Sequence, residues 1–327
     1  MKLIICGNGF DLHHGFRTGY KSYKEFLLSK YPHSFTSFEE FRYLSLADSD
    51  KWSDLESSLT IDYEEFIAAS LNDYYPDWNN DSDSRWYDLD IDIETQTKFI
   101  YDFTGKYFLE WLINIDYSLA QDTIGFISPE DVFVTFNYTS TLEVVYNVPK
   151  ENVFHIHGSI GTIKKEDIQN WHIPHFNTIE EAEIAEQFQA DEFNNGIIRE
   201  QIQFGSIYND PTIIRHELVK SFEHDDFYSV SIEPAINRLV AFCDAGAKNI
   251  AKNYEPTVKF MEDRNIDQVV VMGHSILGVD KAYYSDIFVP KFKNCRWSFY
   301  YHSDACLIEA KEFVRQFEIG DFEFVAW

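Results

Sequence analysis

Four short segments carry side chains that can hold a ligand or move a proton, and three of them also contain glycine. The segments are GNGFD at 7–11, TFNYT at 135–139, FHIHGS at 154–159 and GHSILGVD at 273–280. Glycine lets a backbone approach a ligand closely, Asn both donates and accepts hydrogen bonds, and imidazole acts as a general base near neutral pH. Residues of these types are suited to binding a nucleotide and to acid-base chemistry on it.

The first glycine turn follows a short apolar segment, which is where phosphate-binding turns occur in nucleotide-binding proteins. We expect Gly7, Asn8, Gly9 and Asp11 to contact a dinucleotide. The full dinucleotide fingerprint is absent, because Leu12 stands where its third glycine would fall. The alternative is therefore a turn that only reverses the chain and binds no ligand.

The TFNYT segment follows a second apolar run. We expect Thr135 to line the ligand site and Asn137 to hold a ribose hydroxyl or a water molecule. Asn is also a favoured residue at helix N-termini, so a cap on a helix beginning near Ser140 is the alternative role for Asn137.

The remaining two segments supply histidines, glycines and serines. Strand alternation puts His155 and His157 on one face, with His155 deeper, so we expect His155 to be a core residue and His157 to reach the ligand beside Gly158. We expect Gly273 and Ser275 to hold the other half of a dinucleotide.

Five apolar segments are predicted to be the strands that position these residues. They are Lys2–Cys6, Asp131–Phe136, Asn152–His157, Gln268–Met272 and Arg296–Tyr301. Helical patterns lie between several of them, which predicts an α/β fold with a Rossmann-like, mostly parallel sheet. The carboxyl ends of parallel strands meet at one edge, so the four motifs should converge on one crevice.

Two segments interrupt this pattern. Residues 20–125 are mainly helical and are predicted to be an insertion, and residues 159–202 are acidic and are predicted to form a lid or a surface insertion. Within the first of them, acidic and apolar residues alternate from Asp88 to Glu94, which predicts a half-exposed strand rather than a calcium loop.

The composition excludes several classes of function. The chain has 27 Lys and Arg against 55 Asp and Glu, a net charge of -28, so general binding to nucleic acids is not expected. Its four cysteines are widely spaced and form no CxxC pair, which is typical of reduced thiols. No apolar run is long enough for a signal peptide or a membrane span, and we expect a cytoplasmic location.

The order of these motifs, with IQFGS at 202–206 before GHSILGVD, resembles the AbiH family of bacterial abortive-infection proteins over nearly the whole chain. Beyond that family it is similar to the sirtuin-like NAD-consuming domains. The resemblance implies one sirtuin-like Rossmann domain over 1–327. It also implies residue roles: phosphate contacts from Gly7 and Gly9, catalysis by Asn137 and His157, a pocket wall from Phe204 and Gly205, and adenosine contacts from Gly273 and Ser275.

The sequence departs from the sirtuin pattern in ways that bear on chemistry. No cysteine occurs between Gly158 and Phe204, so the zinc site of sirtuins is not expected, and no metal or cofactor is expected beyond NAD as substrate. Without zinc and a peptide cleft, the resemblance implies water as the acceptor and hydrolysis of NAD to nicotinamide and ADP-ribose.

Three functions follow from these observations. The first is a phage-defence NAD hydrolase in which Asn137 orients the ribose or water and His157 is the general base. The second is a nucleotide-sensing or partner-binding module without turnover. The third is a metal-dependent nuclease, for which the sequence offers no compact set of ligands. NAD or a related dinucleotide is the expected partner, and a phage-derived trigger and homo-oligomers stay open.

Overall fold

The computed structural model describes residues 1–40, 52, 55–59, 62–74, 85, 87–163, 168, 211–225, 228–246 and 250–327. The chain divides into two compact units. The first comprises Met1–Ser22, Trp111–Ile163 and Asn249–Trp327, and the second comprises Tyr23–Glu110 and Lys164–Lys248.

The first unit contains a six-stranded sheet in which every neighbouring pair is parallel. Its strands are β1 (Lys2–Cys6), β2 (Val132–Thr135), β3 (Val153–His155), β4 (Gln268–Met272), β5 (Arg296–Tyr301) and β6 (Phe322–Ala326). The order across the sheet is β3-β2-β1-β4-β5-β6, the order of the Rossmann arrangement. The predicted α/β class with a mainly parallel sheet is confirmed.

The strands are continuously apolar because both faces of the sheet are covered. Leu3 and Ile5 of β1 lie in one core with residues of β2 and β4, whereas Ile4 and Cys6 lie in the core on the other face. All four side chains are fully buried. Alternate residues of β1 therefore support two separate apolar layers, as in α/β sheets with helices on each side.

The register makes four strands end at the same level. Cys6, the last residue of β1, pairs with Thr135 of β2 and with Met272 of β4. Thr135 in turn pairs with His155, the last residue of β3. The loops that follow these four strands therefore begin together at the carboxyl edge of the sheet.

Helices account for most of the remaining described residues. The α-helices are Asn8–His13, Tyr20–Lys30, Pro32–Glu40, Leu55–Ser58, Tyr63–Tyr74, Asp88–Asp102, Phe108–Leu112, Thr141–Val145, Pro211–Phe222, Glu233–Gly246, Ile250–Phe260, Lys281–Tyr283, Val289–Phe292 and Asp304–Phe317. Short π-helical segments are Phe103–Tyr107, Tyr228–Ile232 and Tyr284–Phe288. No helix in these described parts of the chain is long and apolar enough to cross a membrane.

The second unit has an aromatic core of its own. Phe38 and Phe103 stack with ring centroids 3.9 Å apart, and Trp52 packs against both rings. Arg238 pairs with Asp90 through its Nε at 2.6 Å, which joins the helices Glu233–Gly246 and Asp88–Asp102.

The strand predicted from Asp88 to Glu94 is wrong, because these residues begin the helix Asp88–Asp102. Leu89 and Ile93 lie four positions apart on one helical face and are fully buried, whereas Ile91 between them is 54% exposed. Only two of the three apolar residues thus pack into the core. A short alternation of acidic and apolar residues is therefore compatible with a helix as well as with a strand. The predicted acidic insertion at 159–202 lies outside the described residues except for 159–163 and 168.

Candidate functional site at the carboxyl edge of the sheet

The loops after β1 and β4 bind each other. The Gly7 N–H donates to the Met272 carbonyl at 3.1 Å, and the Gly9 N–H donates to the Gly273 carbonyl at 2.7 Å. These two amides, predicted to face phosphates, are therefore engaged within the protein. Asn8 lies between them and begins the helix Asn8–His13.

Glycine is required where these two loops cross. A Cβ atom on Gly9 would lie 2.7 Å from the Gly273 Cα atom, closer than side-chain carbons approach a backbone. Gly273 itself has φ +60°, and a Cβ there would overlap the backbone nitrogen of Phe10. The glycines of both motifs thus allow close contact between two parts of the protein's own backbone.

Asp11 is buried behind the glycine turn and joins it to the loop after β2. Its two carboxylate oxygens accept hydrogen bonds from the hydroxyls of Thr139 and Thr141, each at 2.6 Å. Burial raises the pKa of Asp11 to about 6, although the two hydrogen bonds oppose this shift. Only 1% of Asp11 is exposed, so it holds the site together from within.

Asn137 connects three strand ends. Its side-chain amide donates to the Gly7 carbonyl at 3.0 Å, its backbone N–H donates to the Thr135 hydroxyl at 3.0 Å, and its carbonyl accepts from His155 Nδ1 at 2.9 Å. Thr135 and Asn137 are both buried. The side chain of Asn137 thus binds the β1 loop, at a distance from the cap position of helix Thr141–Val145, which Ser140 occupies.

The other nitrogen of His155 faces a carboxylate. His155 Nε2 lies 2.9 Å from Glu143 Oε1. Burial alone would raise the pKa of Glu143, but the hydrogen bond and the charge of His155 lower it. His155 therefore bridges the backbone of Asn137 and an acidic side chain of the next helix.

His157 lies in a second cluster centred on Asp280. Its Nε2 is 3.1 Å from Asp280 Oδ1, and the other oxygen of Asp280 lies 3.3 Å from His274 Nε2. His274 Nδ1 is 2.7 Å from the hydroxyl of Tyr284. One buried carboxylate is thus shared by two imidazoles that follow different strands.

Aromatic rings enclose this cluster. The ring of Phe136 stacks on His274 with centroids 3.9 Å apart and meets His157 at 5.6 Å, and Tyr283 meets His157 at 5.7 Å. The low polarity of these neighbours strengthens the attraction between Asp280 and the imidazoles.

The predicted order of burial of the two histidines is wrong. The side chain of His157 is 1% exposed to solvent, whereas that of His155 is 10% exposed. The alternation rule fails because β3 ends at His155, and a turn at 156–157 followed by Gly158 with φ +88° redirects the chain. His157 consequently points into the interior, and truncating it leaves a cavity.

The remaining predicted site residues are Ser275, Phe204 and Gly205. The hydroxyl of Ser275 donates to Glu309 Oε1 at 2.8 Å, and the same oxygen accepts the Leu277 N–H at 2.7 Å. Glu309 therefore closes the loop after β4. Phe204 and Gly205 lie outside the described residues.

Sequence reasoning missed several residues of the site, namely Thr139, Thr141, Glu143, His274 and Asp280. Thr139, His274 and Asp280 lie inside the motifs, and Thr141 and Glu143 follow shortly after TFNYT. The signal that could have found Asp280 is the pairing of an acidic residue with a strand-end histidine in one short motif, since a carboxylate commonly orients an imidazole.

A family model described as "Bacteriophage abortive infection AbiH" matches residues 3–301. The comparisons with curated proteins and with solved structures gave no match. Since the family model covers nearly the whole chain, this protein belongs to the AbiH family of bacteriophage abortive-infection proteins.

Proposed function

We propose that this AbiH protein contributes to abortive infection by hydrolysing NAD, or a related dinucleotide, at the carboxyl edge of its sheet. The observation that carries the proposal is the His157–Asp280 pair, with Nε2 3.1 Å from Oδ1, at the carboxyl ends of parallel strands. Ligands of open α/β sheets bind outside these ends, where the strand order reverses. The order of the motifs, which resembles that of sirtuin-like domains, supports NAD as the substrate.

The chemistry needs a base and a polar group that orients the substrate. In the proposed reaction, the bond between nicotinamide and the ribosyl carbon breaks, and its electron pair leaves with neutral nicotinamide. A water oxygen bonds to that carbon, and His157 takes the proton that the water loses. A positioned general base contributes about 10²- to 10⁴-fold to the rate, and the orientation of the ribose contributes further.

Asn137 has a supporting role in this proposal. Its side chain donates to the Gly7 carbonyl at 3.0 Å, which fixes the amide between the glycine turn and the loop after β2. From that position it orients the ribose or the attacking water.

A nucleotide-sensing module without turnover is the second candidate, and one observation favours it. The amides of Gly7 and Gly9 donate to Met272 and Gly273, so the loops are closed on each other, and His157 is buried. A ligand that opens these loops would change the conformation of the carboxyl edge, which is what a sensor requires.

Nucleotide analysis separates these candidates. Purified protein is incubated with NAD, and cells with and without the protein are profiled during phage infection. Hydrolysis predicts loss of NAD with equal amounts of nicotinamide and ADP-ribose, in vitro or in infected cells. Protection from phage with NAD intact would refute the proposal and favour the sensor, while DNA degradation that a chelator stops would favour the metal-dependent nuclease.

A further inference from the structure

We propose that Asp280 is a positioning residue that fixes the proton of His157 on Nε2 and so makes Nδ1 the basic nitrogen of the site. The effect of Asp280 on kcat rests on the proposed hydrolysis of NAD. The position of the proton on His157 does not depend on that proposal. The His157–Asp280 contact joins residues 123 positions apart, and no sequence motif specifies it.

The donor and acceptor roles follow from the neighbours of each atom. An ionised carboxylate only accepts hydrogen bonds, so both imidazoles that face Asp280 must donate from Nε2. For His157 this places the lone pair on Nδ1. For His274 it places the lone pair towards Tyr284, whose hydroxyl lies 2.7 Å from Nδ1.

The state of Tyr284 agrees with these roles. Burial raises the pKa of its hydroxyl well above the ordinary value, and the charges of Asp280, Glu309 and Cys6 raise it further. Tyr284 therefore stays protonated and donates to His274. Tyr284 thus donates to His274, and His274 donates to one oxygen of Asp280. His157 donates to the other oxygen of Asp280.

The local structure gives independent support. Asp280 precedes the short helix Lys281–Tyr283, a position at which an Asp side chain commonly accepts hydrogen bonds from the first amides of the helix. Its two oxygens face the imidazoles of His157 and His274 instead. The carboxylate is thus placed to serve the histidines.

The inference specifies how Asp280 acts in the reaction. When His157 accepts the proton of water on Nδ1, the ring becomes a cation with protons on both nitrogens. The carboxylate of Asp280 stabilises that cation without taking its proton, as in other carboxylate–imidazole pairs. His274 holds the second oxygen and keeps the carboxylate in place.

The first experiment reads the proton positions in the wild-type protein and uses variants only to assign the signals. Nitrogen-15 NMR of the imidazoles in the wild-type protein, assigned with His157→Gln and His274→Gln, reports which ring nitrogen carries the proton. We expect protonation of Nε2 and a lone pair on Nδ1 for His157 when the ring is neutral. A His157 ring protonated on Nδ1 alone would overturn the proposal, whether or not the protein hydrolyses NAD.

The second experiment uses Asp280→Asn, with Asp286→Asn as the matched control, since Asp286 is an exposed carboxylate of the adjoining π-helical segment. An Asn amide cannot accept from both imidazoles, so we expect kcat for NAD to fall about 10²- to 10⁴-fold with KM changed less than about threefold. The control should keep wild-type kcat. Unchanged kcat in Asp280→Asn would overturn the proposal, whereas an inactive wild type with the expected tautomer would refute only NAD hydrolysis.

Discussion

The backbone N–H of Gly9 donates a hydrogen bond of 2.7 Å to the carbonyl oxygen of Gly273. This bond joins the loops after β1 and β4, two neighbouring strands at the centre of the sheet. The two glycine motifs are therefore parts of one structure. Stability and ligand access are coupled at this crossing, since any ligand that reaches the Gly9 amide must displace Gly273.

Gly273→Ala should destabilise the protein strongly. The substitution puts a Cβ on a residue with φ +60° and against the backbone nitrogen of Phe10, so we expect a loss of about 2–4 kcal/mol in the free energy of unfolding. Urea denaturation at neutral pH measures it. Gly320→Ala is the control, because a Cβ there meets no atom within 4 Å, and it should change stability by less than about 0.5 kcal/mol. Equal effects of the two substitutions would contradict the packing role of Gly273.

Much of the sheet could be predicted because buried parallel strands have a direct signature. β1, β4 and β5 coincide with predicted segments, and the predicted β2 is longer than the observed strand by one residue at each end. β6 was not predicted, since it lies at the edge of the sheet and its residues are mostly half-buried. An edge strand lacks the continuous apolar run that marks a central strand.

Asp11→Asn should alter the pH dependence of stability. In the unfolded chain, Asp11 has the ordinary pKa of an Asp, 3.8. In the folded protein, burial raises the pKa of Asp11 to about 6. The folded state therefore binds this proton more tightly, and the stabilisation is fully present below the unfolded pKa and is lost as the pH rises through about 6.

The size of this contribution is on the order of 2–3 kcal/mol. Urea midpoints of wild type and Asp11→Asn at about pH 4, pH 5.5 and pH 7 measure it, and the variant should lose less stability than wild type over this range. Parallel pH profiles for the two proteins would show that Asp11 titrates as an ordinary carboxyl group.

Thr141→Val tests the hydrogen bonds that hold Asp11. Val preserves the shape of Thr but removes the hydroxyl that donates to Asp11 at 2.6 Å. We expect a loss of about 1–3 kcal/mol at neutral pH, because an ionised buried carboxylate loses a donor, and a further rise in the Asp11 pKa. Thr36→Val is the control, since that exposed hydroxyl donates only to the Pro32 carbonyl one helical turn away. If Thr36→Val costs as much as Thr141→Val, the loss reflects the substitution type rather than Asp11.

The site was less predictable than the sheet, for a physical reason. Strand ends could be identified from local patterns, and these placed Asn137 and His157 near the carboxyl edge. The partners of these residues come from distant segments, as with Asn137 and Gly7, 130 positions apart, or His157 and Asp280, 123 positions apart. Local periodicity gives the direction of a side chain only while the strand continues, and β3 ends before His157.

His157→Gln and His155→Gln should both reduce stability but should differ in their effect on turnover. A Gln amide at 157 can still donate to Asp280, which keeps the buried carboxylate satisfied, but it cannot act as a base. We expect NAD turnover to fall at least about 10²-fold with a stability loss of about 1–2 kcal/mol.

At 155, Gln replaces a ring that faces both the Asn137 carbonyl and Glu143, and one of these acceptors loses its donor. That variant should lose about 1–3 kcal/mol of stability while its turnover falls less than about tenfold. Unfolding by urea, NAD binding by calorimetry and nicotinamide release measured on both variants decide the assignment. Full turnover in His157→Gln would remove His157 from the chemistry and leave nucleotide sensing as the better account of this carboxyl edge.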